Sequence, residues 1–249
     1  MDKTIDIFYI ATGVYTTYFD NFLCTVHNFL PSYNKRIHVI SDGLKEYNGY
    51  NENGISINVI FQMDLPYPII PLLKSKFISY NLTDDMKYVF YFDADTIFLE
   101  KDDEYWEIFI KDIDNGNFLL SNHPGNYYRT YSIPDTSKAF IAPGFFYYTI
   151  ISSFYGGSID GMKKICEKEL SMISSDLTSH VNGHQSHYIP PLFDQDYVNK
   201  IADESNDMSF SIKYFVNIHW FSNSQDRHEE NFIEQKYDIQ RKFETKNML

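Results

Sequence analysis

Asp93 and Asp95 are the residues whose spacing points most directly to chemistry. Residues 88–95 read Tyr-Val-Phe-Tyr-Phe-Asp-Ala-Asp, an apolar run that delivers two carboxylates to one place. An unbroken apolar run is the pattern of a central strand covered on both faces. In open α/β sheets, ligands bind at the carboxyl ends of such strands. If the segment stays extended, Asp93 and Asp95 project to the same side. They can then share one hard divalent cation, Mn2+ or Mg2+, which carboxylate oxygens suit. The bland alternative is a pair of turn aspartates closing a strand, since Asp-X-Asp alone is common. Its place after a wholly apolar run favours the metal.

Other elements must position that strand. Residues 5–10 are an apolar run ending at Ala11-Thr12-Gly13, read as a strand and a turn. Phe19, Phe22, Leu23, Val26 and Leu30 recur at helical spacing until Pro31. Residues 37–40 and 55–61 read as two more strands. The segment 66–71 contains three prolines and is expected to be irregular. Residues 72–82 can be helical. Strands alternating with helices predict parallel βα units and an α/β fold, with a mixed, mostly parallel central sheet. Beyond residue 106, strands are expected at 117–120, 145–151 and 210–218. Ile159, Met162, Ile165, Cys166, Leu170 and Ile173 mark an amphipathic helix, and 194–202 reads as a short helix with an acidic cap. The tail after His228 is charged and without apolar periodicity, either mobile or docked by ligand. No repeat or linker breaks the chain, so a single domain is expected, with a nucleotide-binding half (1–105) and an acceptor-binding half (106–249).

Composition narrows the function. The 249 residues carry 34 acidic and 21 basic side chains, a formal charge of −13. That argues against a general nucleic-acid binder, which needs a basic surface. An aromatic content of 18% excludes a disordered chain. Cys24 and Cys166 are too few for a zinc cluster or disulfide framework and are expected as buried free thiols of a reducing compartment. No segment reads as a signal peptide or reaches the about 20 apolar residues of a membrane helix. The expected location is the cytoplasm, with association at the inner face of a bacterial membrane left open.

Two enzyme classes place Asp-X-Asp after a buried strand. Aspartate-nucleophile phosphatases usually carry Thr or Val two positions after the second Asp, where this chain has Ile97. Their nucleophile also follows an early strand. Nucleotide-sugar glycosyltransferases place the motif mid-domain, and the position here favours them. Several ordered blocks carry a closer resemblance. Residues 7–15, Ile-Phe-Tyr-Ile-Ala-Thr-Gly-Val-Tyr, resemble the first strand and uridine turn of glycosyltransferase family 6. That family contains the blood-group A and B transferases, α-1,3-galactosyltransferases and bacterial relatives. Residues 92–95 resemble its metal motif, 123–127 its His-Pro-Gly acceptor loop, and 154–158 its Phe-Phe-Gly-Gly-Ser block. Asp194-Gln195-Asp196, with Asn199-Lys200 behind it, aligns with its Asp-Glu-Ser and Asn-Lys. The family's Glu is Gln195 here. Asp-Gln-Asp is instead similar to glycosyltransferase family 8, as is His219 before Trp220, matching that family's C-terminal metal-ligand His. Both families share the GT-A nucleotide-sugar fold and retain anomeric configuration.

The resemblance implies roles residue by residue. Asp93, Asp95 and His219 would hold the metal. Ile10, Ala11, Thr12, Tyr15 and Ala94 would line the nucleotide. Lys74 and Lys76 resemble the basic position that reaches the donor, with Lys76 assigned to it. Ile151 and Ser153 align with positions that discriminate galactose from N-acetylgalactosamine. Gly156 and Gly157 would let backbone approach a sugar, and a strand-to-helix turn is equally compatible with them. Arg241 and Lys242, in the basic tail, would fold over the diphosphate. His123, Leu192 and Asn217 would bind the acceptor. Gln195 and Asp194 would be catalytic. Gln195 is a poor nucleophile, so the implied route is front-side, with the leaving phosphate taking the acceptor proton past an oxocarbenium-like transition state. Asp196 can serve as the carboxylate if the alignment shifts by one. The implied donor is UDP-galactose or UDP-N-acetylgalactosamine, and the acceptor a galactoside in an oligosaccharide or glycolipid. A family 8-like galactosyl- or glucosyltransferase and an inactive carbohydrate-binding protein are the alternatives. Lacking the membrane anchor of animal family members, the chain is expected to be bacterial or viral.

Overall fold

The computed structural model describes residues 3–122, 133–141, 150–178, 180–181, 184–185, 189–190, 194–204, 211–216, 218–220 and 233–235. Its main sheet has eight strands in the spatial order β11 (Ser211–Val216), β7 (Asn117–Asn122), β8 (Ile150–Ser158), β5 (Tyr88–Asp93), β1 (Thr4–Ile10), β2 (Asn34–Ser41), β4 (Ile55–Phe61) and β3 (Asn51–Glu52). The β1–β2, β2–β4, β1–β5 and β7–β11 pairs are parallel. The β3–β4, β5–β8 and β7–β8 pairs are antiparallel. This is a Rossmann-like α/β architecture of the GT-A type, with the mixed, mostly parallel sheet expected from the strand–helix alternation. The sheet runs through both expected halves, and the 105/106 division falls inside a helix, α3 (Asp103–Asp114).

Both faces of the sheet are covered, which explains the apolar runs. Ile5, Ile7, Tyr9, Phe90, Phe92 and Phe154 face α1 (Phe19–Thr25) and α3. Phe29 sits at the centre of that layer, edge-on to Phe90, Phe92, Trp106 and Phe109. Each fully buried ring of this kind is worth roughly 1.5–3 kcal/mol. The alternate residues Phe8, Ile10, Val89, Tyr91 and Tyr155 face the opposite layer. That layer is built from α2 (Ile69–Tyr80), α4 (Ile159–Thr178) and α5 (Asp194–Asp203). Strand alternation therefore sends Asp93, two residues beyond Tyr91, to the α2 side.

Several expectations need correction. The first helix is broken: 3-10 turns over Gly13–Tyr18 and Val26–Asn28 flank a short α1. The proline segment is partly helical, because α2 begins at Ile69 and Pro71 lies in its first turn, where a backbone N–H has no helical partner to lose. The Gly156-Gly157 pair is no turn: both residues lie inside β8. The expected last strand is split between β11 and β12 (Ile218–Trp220). The charged tail contributes β13 (Ile233–Gln235), which lies between β12 and β6 (Thr96–Phe98) in a small three-stranded sheet. β9 (His180–Val181) and β10 (His184–Gln185) form a separate hairpin. Cys166 is buried as expected, but Cys24 is exposed, on the outer side of α1. Among the described residues, no helix is long and apolar enough to cross a membrane.

Candidate active site

β5 carries the two aspartates to the carboxyl edge of the sheet, in parallel register with β1, where Ile10 pairs with Asp93. The turn after β1 therefore starts beside Asp93. Ala11 and Thr12 are buried there and Tyr15 is half-buried. Gly13 has a positive φ of 55°, and its N–H donates to Asp42 Oδ1 at 3.0 Å. The first-strand turn and the Asp-X-Asp turn thus share one edge.

The extended geometry expected for Asp93 and Asp95 is not found. β5 ends at Asp93, and Ala94-Asp95 form a turn into β6. The Tyr9 hydroxyl, from β1, donates to the Ala94 carbonyl at 2.9 Å and pins the reversal. Burial raises the Tyr9 hydroxyl pKa well above its ordinary value, and Asp95, Asp20 and Asp93 add to the shift. Tyr9 therefore stays protonated and keeps its donor role. Asp95 is buried, and Asp93 Oδ1 accepts a hydrogen bond from the Tyr91 hydroxyl at 2.7 Å. Burial and then Asp93 hold that phenol, too, well above its ordinary pKa.

Lys74 joins these carboxylates to the second half of the chain. It lies on the inner face of α2, forms an ion pair with Asp194 at the start of α5, and donates to the Ser152 carbonyl of β8 at 2.9 Å. Its ammonium stands 4.4 Å from the Tyr91 ring centre and 5.4 Å from that of Tyr155, a cation–π arrangement. Burial opposes the charge, but Asp194, Asp93 and Glu169 outweigh it, and the Lys74 pKa is raised. Lys74 is thus held as a cation, paired with Asp194 and favoured by the nearby charge of Asp93.

Lys76, by contrast, is exposed, its ammonium 5.6 Å over the Tyr80 ring. The change of direction is helical: residues two apart on α2 lie on different faces. The same spacing separates Asp194 from Asp196, which is fully buried, while Gln195 between them is half-buried. Ser153 is buried in β8, and its hydroxyl has no hydrogen-bond partner among the described residues. Ile151 pairs with Ser121 of β7. The glycines of β8 have a packing explanation. A Cβ on Gly156 would lie 2.8 Å from the Val89 carbonyl and against Phe90, and one on Gly157 would lie 2.8 Å from Phe118. His219 lies in β12, where it pairs with Glu234, which pairs with Ile97 of β6. His123, Leu192, Asn217, Arg241 and Lys242 lie outside the described residues.

Among the described residues, no group of three or more His, Cys, Asp or Glu converges as a closed metal cage. The available set is two carboxylates, Asp93 and Asp95. Their donor type, carboxylate oxygen, is the one that Mg2+ or Mn2+ takes, commonly from one or two carboxylates with phosphate oxygens completing the shell. Sequence reading alone singled out neither Tyr9, Tyr91 nor Glu169. A detectable signal for Lys74 exists: it stands next to Ser75 and one helical turn before Ile78, both on the buried side of α2. A cleft at the amino ends of β1 and β5, lined by Lys3, Arg36, Lys87, Trp106 and Asp114, lies at the opposite end of the sheet.

No protein-family model matches the chain, and no curated protein matches its sequence.

Proposed function

We propose that this chain is a metal-dependent, retaining glycosyltransferase that moves galactose or N-acetylgalactosamine from a UDP-sugar to a galactoside in a glycan, in the cytoplasm. The observation that supports it most is the Lys74 bridge, which brings Asp194 of the Asp-Gln-Asp block to the Asp93 end of β5. The first-strand turn at the same edge offers Ala11, Thr12 and Tyr15 to the uridine.

Asp93 and Asp95 would hold Mn2+ or Mg2+, which when bound neutralises the donor diphosphate. Tyr9 keeps the turn between them in place. Lys74 adds a fixed positive charge and orients Asp194 toward the donor sugar, a preorganised arrangement that costs no rearrangement during transfer. Gln195 offers an amide dipole rather than a nucleophile. The bond from the anomeric carbon to the diphosphate oxygen breaks, the acceptor oxygen bonds to the same face, and the departing phosphate accepts the acceptor's proton.

Incubation with UDP-galactose, Mn2+ and a β-galactoside should release UDP, and NMR of the product should show an α linkage. Saturable UDP binding without release would instead favour the inactive carbohydrate-binding protein. Preferred turnover of UDP-glucose would favour the family 8-like reading. Phosphate release from small phosphoesters would favour a phosphatase.

A further inference from the structure

Behind Lys74 lies a buried carboxyl group with no part in the scheme above. Glu169 of α4 is fully buried and accepts a hydrogen bond from the hydroxyl of Ser75, the residue next to Lys74 on α2. Its second oxygen, Oε1, has no hydrogen-bond partner among the described residues. Lys74 and Ser75 act on it from α2 and Asp194 from α5. It acts in turn on Tyr155 of β8 and on Cys166 of its own helix. Lys74 therefore has Asp194 as its ion-pair partner toward the site, with Asp93 and Glu169 as further carboxyl groups acting on it.

We propose that Glu169 is a positioning residue: it tethers α2 through Ser75 and, by holding or releasing one proton, sets how firmly Lys74 is committed to Asp194 and Asp93. Neutral Glu169 leaves the ammonium to the two site carboxylates. Ionised Glu169 competes for it, and a buried charge is weakly screened. Burial, reinforced by Asp194, pushes the carboxyl to about 7 against the pull of Lys74 and Ser75, so the change falls near neutral pH. The ligand in this inference rests on the glycosyltransferase reading; the coupling of Glu169 to Lys74 does not.

Two measurements separate them. The first follows the side-chain 15Nζ resonance of Lys74 in lysine-labelled protein from pH 5.5 to 8.5, assigned by its loss in Lys74→Arg. It should shift with a midpoint near neutrality in the wild type and stay flat in Glu169→Gln, an isostere of the neutral acid. A flat wild-type resonance, or the same shift in Glu169→Gln, overturns the proposal. The second measures UDP affinity with Mn2+. Wild type and Glu169→Gln should bind alike at pH 6, and Glu169→Gln should bind about three- to tenfold tighter at pH 8.5. Comparing the proteins at one pH cancels the ligand's own titration. An affinity ratio independent of pH overturns the control of the site. If the Lys74 resonance titrates while wild type binds no UDP at any pH, the glycosyltransferase reading fails and the coupling stands. Ser75→Ala keeps the carboxyl and removes its tether; it should retain the titration and weaken UDP binding at both pH values.

Discussion

Lys74 and Asp194 form an ion pair with both side chains almost wholly buried, 4% and 8% exposed. Removing one partner strands the other charge away from water. Lys74→Met should cost about 3–5 kcal/mol in urea unfolding. Adding Asp194→Leu should recover part of that loss, because the unpaired carboxylate is gone. A single variant as stable as the wild type would mean that Asp194 does not need its partner.

Tyr9→Phe deletes the donor that holds the Ala94 carbonyl. The cost should be roughly 1–3 kcal/mol, since a buried carbonyl loses its partner. Metal-dependent UDP affinity should fall further than stability alone explains, because the Asp93–Asp95 turn loosens. Unfolding and calorimetric binding on the same preparation test both halves. Unchanged affinity would remove Tyr9 from the site's support.

Chelation tests the paired carboxylates. EDTA should abolish transfer and Mn2+ restore it. Asp93→Asn and Asp95→Asn should each lower turnover by about 10²-fold or more with the fold intact by circular dichroism. Full activity in EDTA would leave these aspartates as strand-end residues only.

Gly156→Ala should destabilise the ligand-free protein by about 1–3 kcal/mol, because a methyl group meets the Val89 carbonyl and the Phe90 ring. A role in sugar contact alone predicts weaker substrate binding with unchanged unfolding. Thermal unfolding without ligand distinguishes the two.

Glu169 binds its proton more tightly in the folded chain than in the unfolded one, at about 7 against an ordinary 4.5. The folded state is therefore favoured most below the ordinary value, and that stability is lost as pH rises through about 7. The wild type should weaken over this interval by an amount on the order of 1–3 kcal/mol. Glu169→Gln should lack this contribution. Parallel pH–stability curves for the two proteins would show that Glu169 titrates normally.

The strand–helix alternation up to β5 was already present in the chain, whereas α3, β3, β6 and β13 were not read from it. The apolar runs at 5–10 and 88–92 read as covered strands, since leaving such side chains in water is costly. Strand alternation around β5 then put Asp93 at a sheet edge without any knowledge of its neighbours. The course of 94–95 was not legible, because it depends on Tyr9, a residue of another strand, meeting the Ala94 carbonyl. The turn reading of Gly156 and Gly157 fails for a similar reason: their small size serves Phe90 and Phe118, which arrive from neighbouring strands. Lys74 and Lys76 are chemically identical and two residues apart. Only the docking of α2 on the sheet buries one against Asp194 and leaves the other in water. Local sequence determines which residues are apolar, where strands end and which carboxylates stand at those ends. Which charges meet is decided by the tertiary structure, because an ion pair or a raised carboxyl pKa arises from burial and neighbours that no local segment contains.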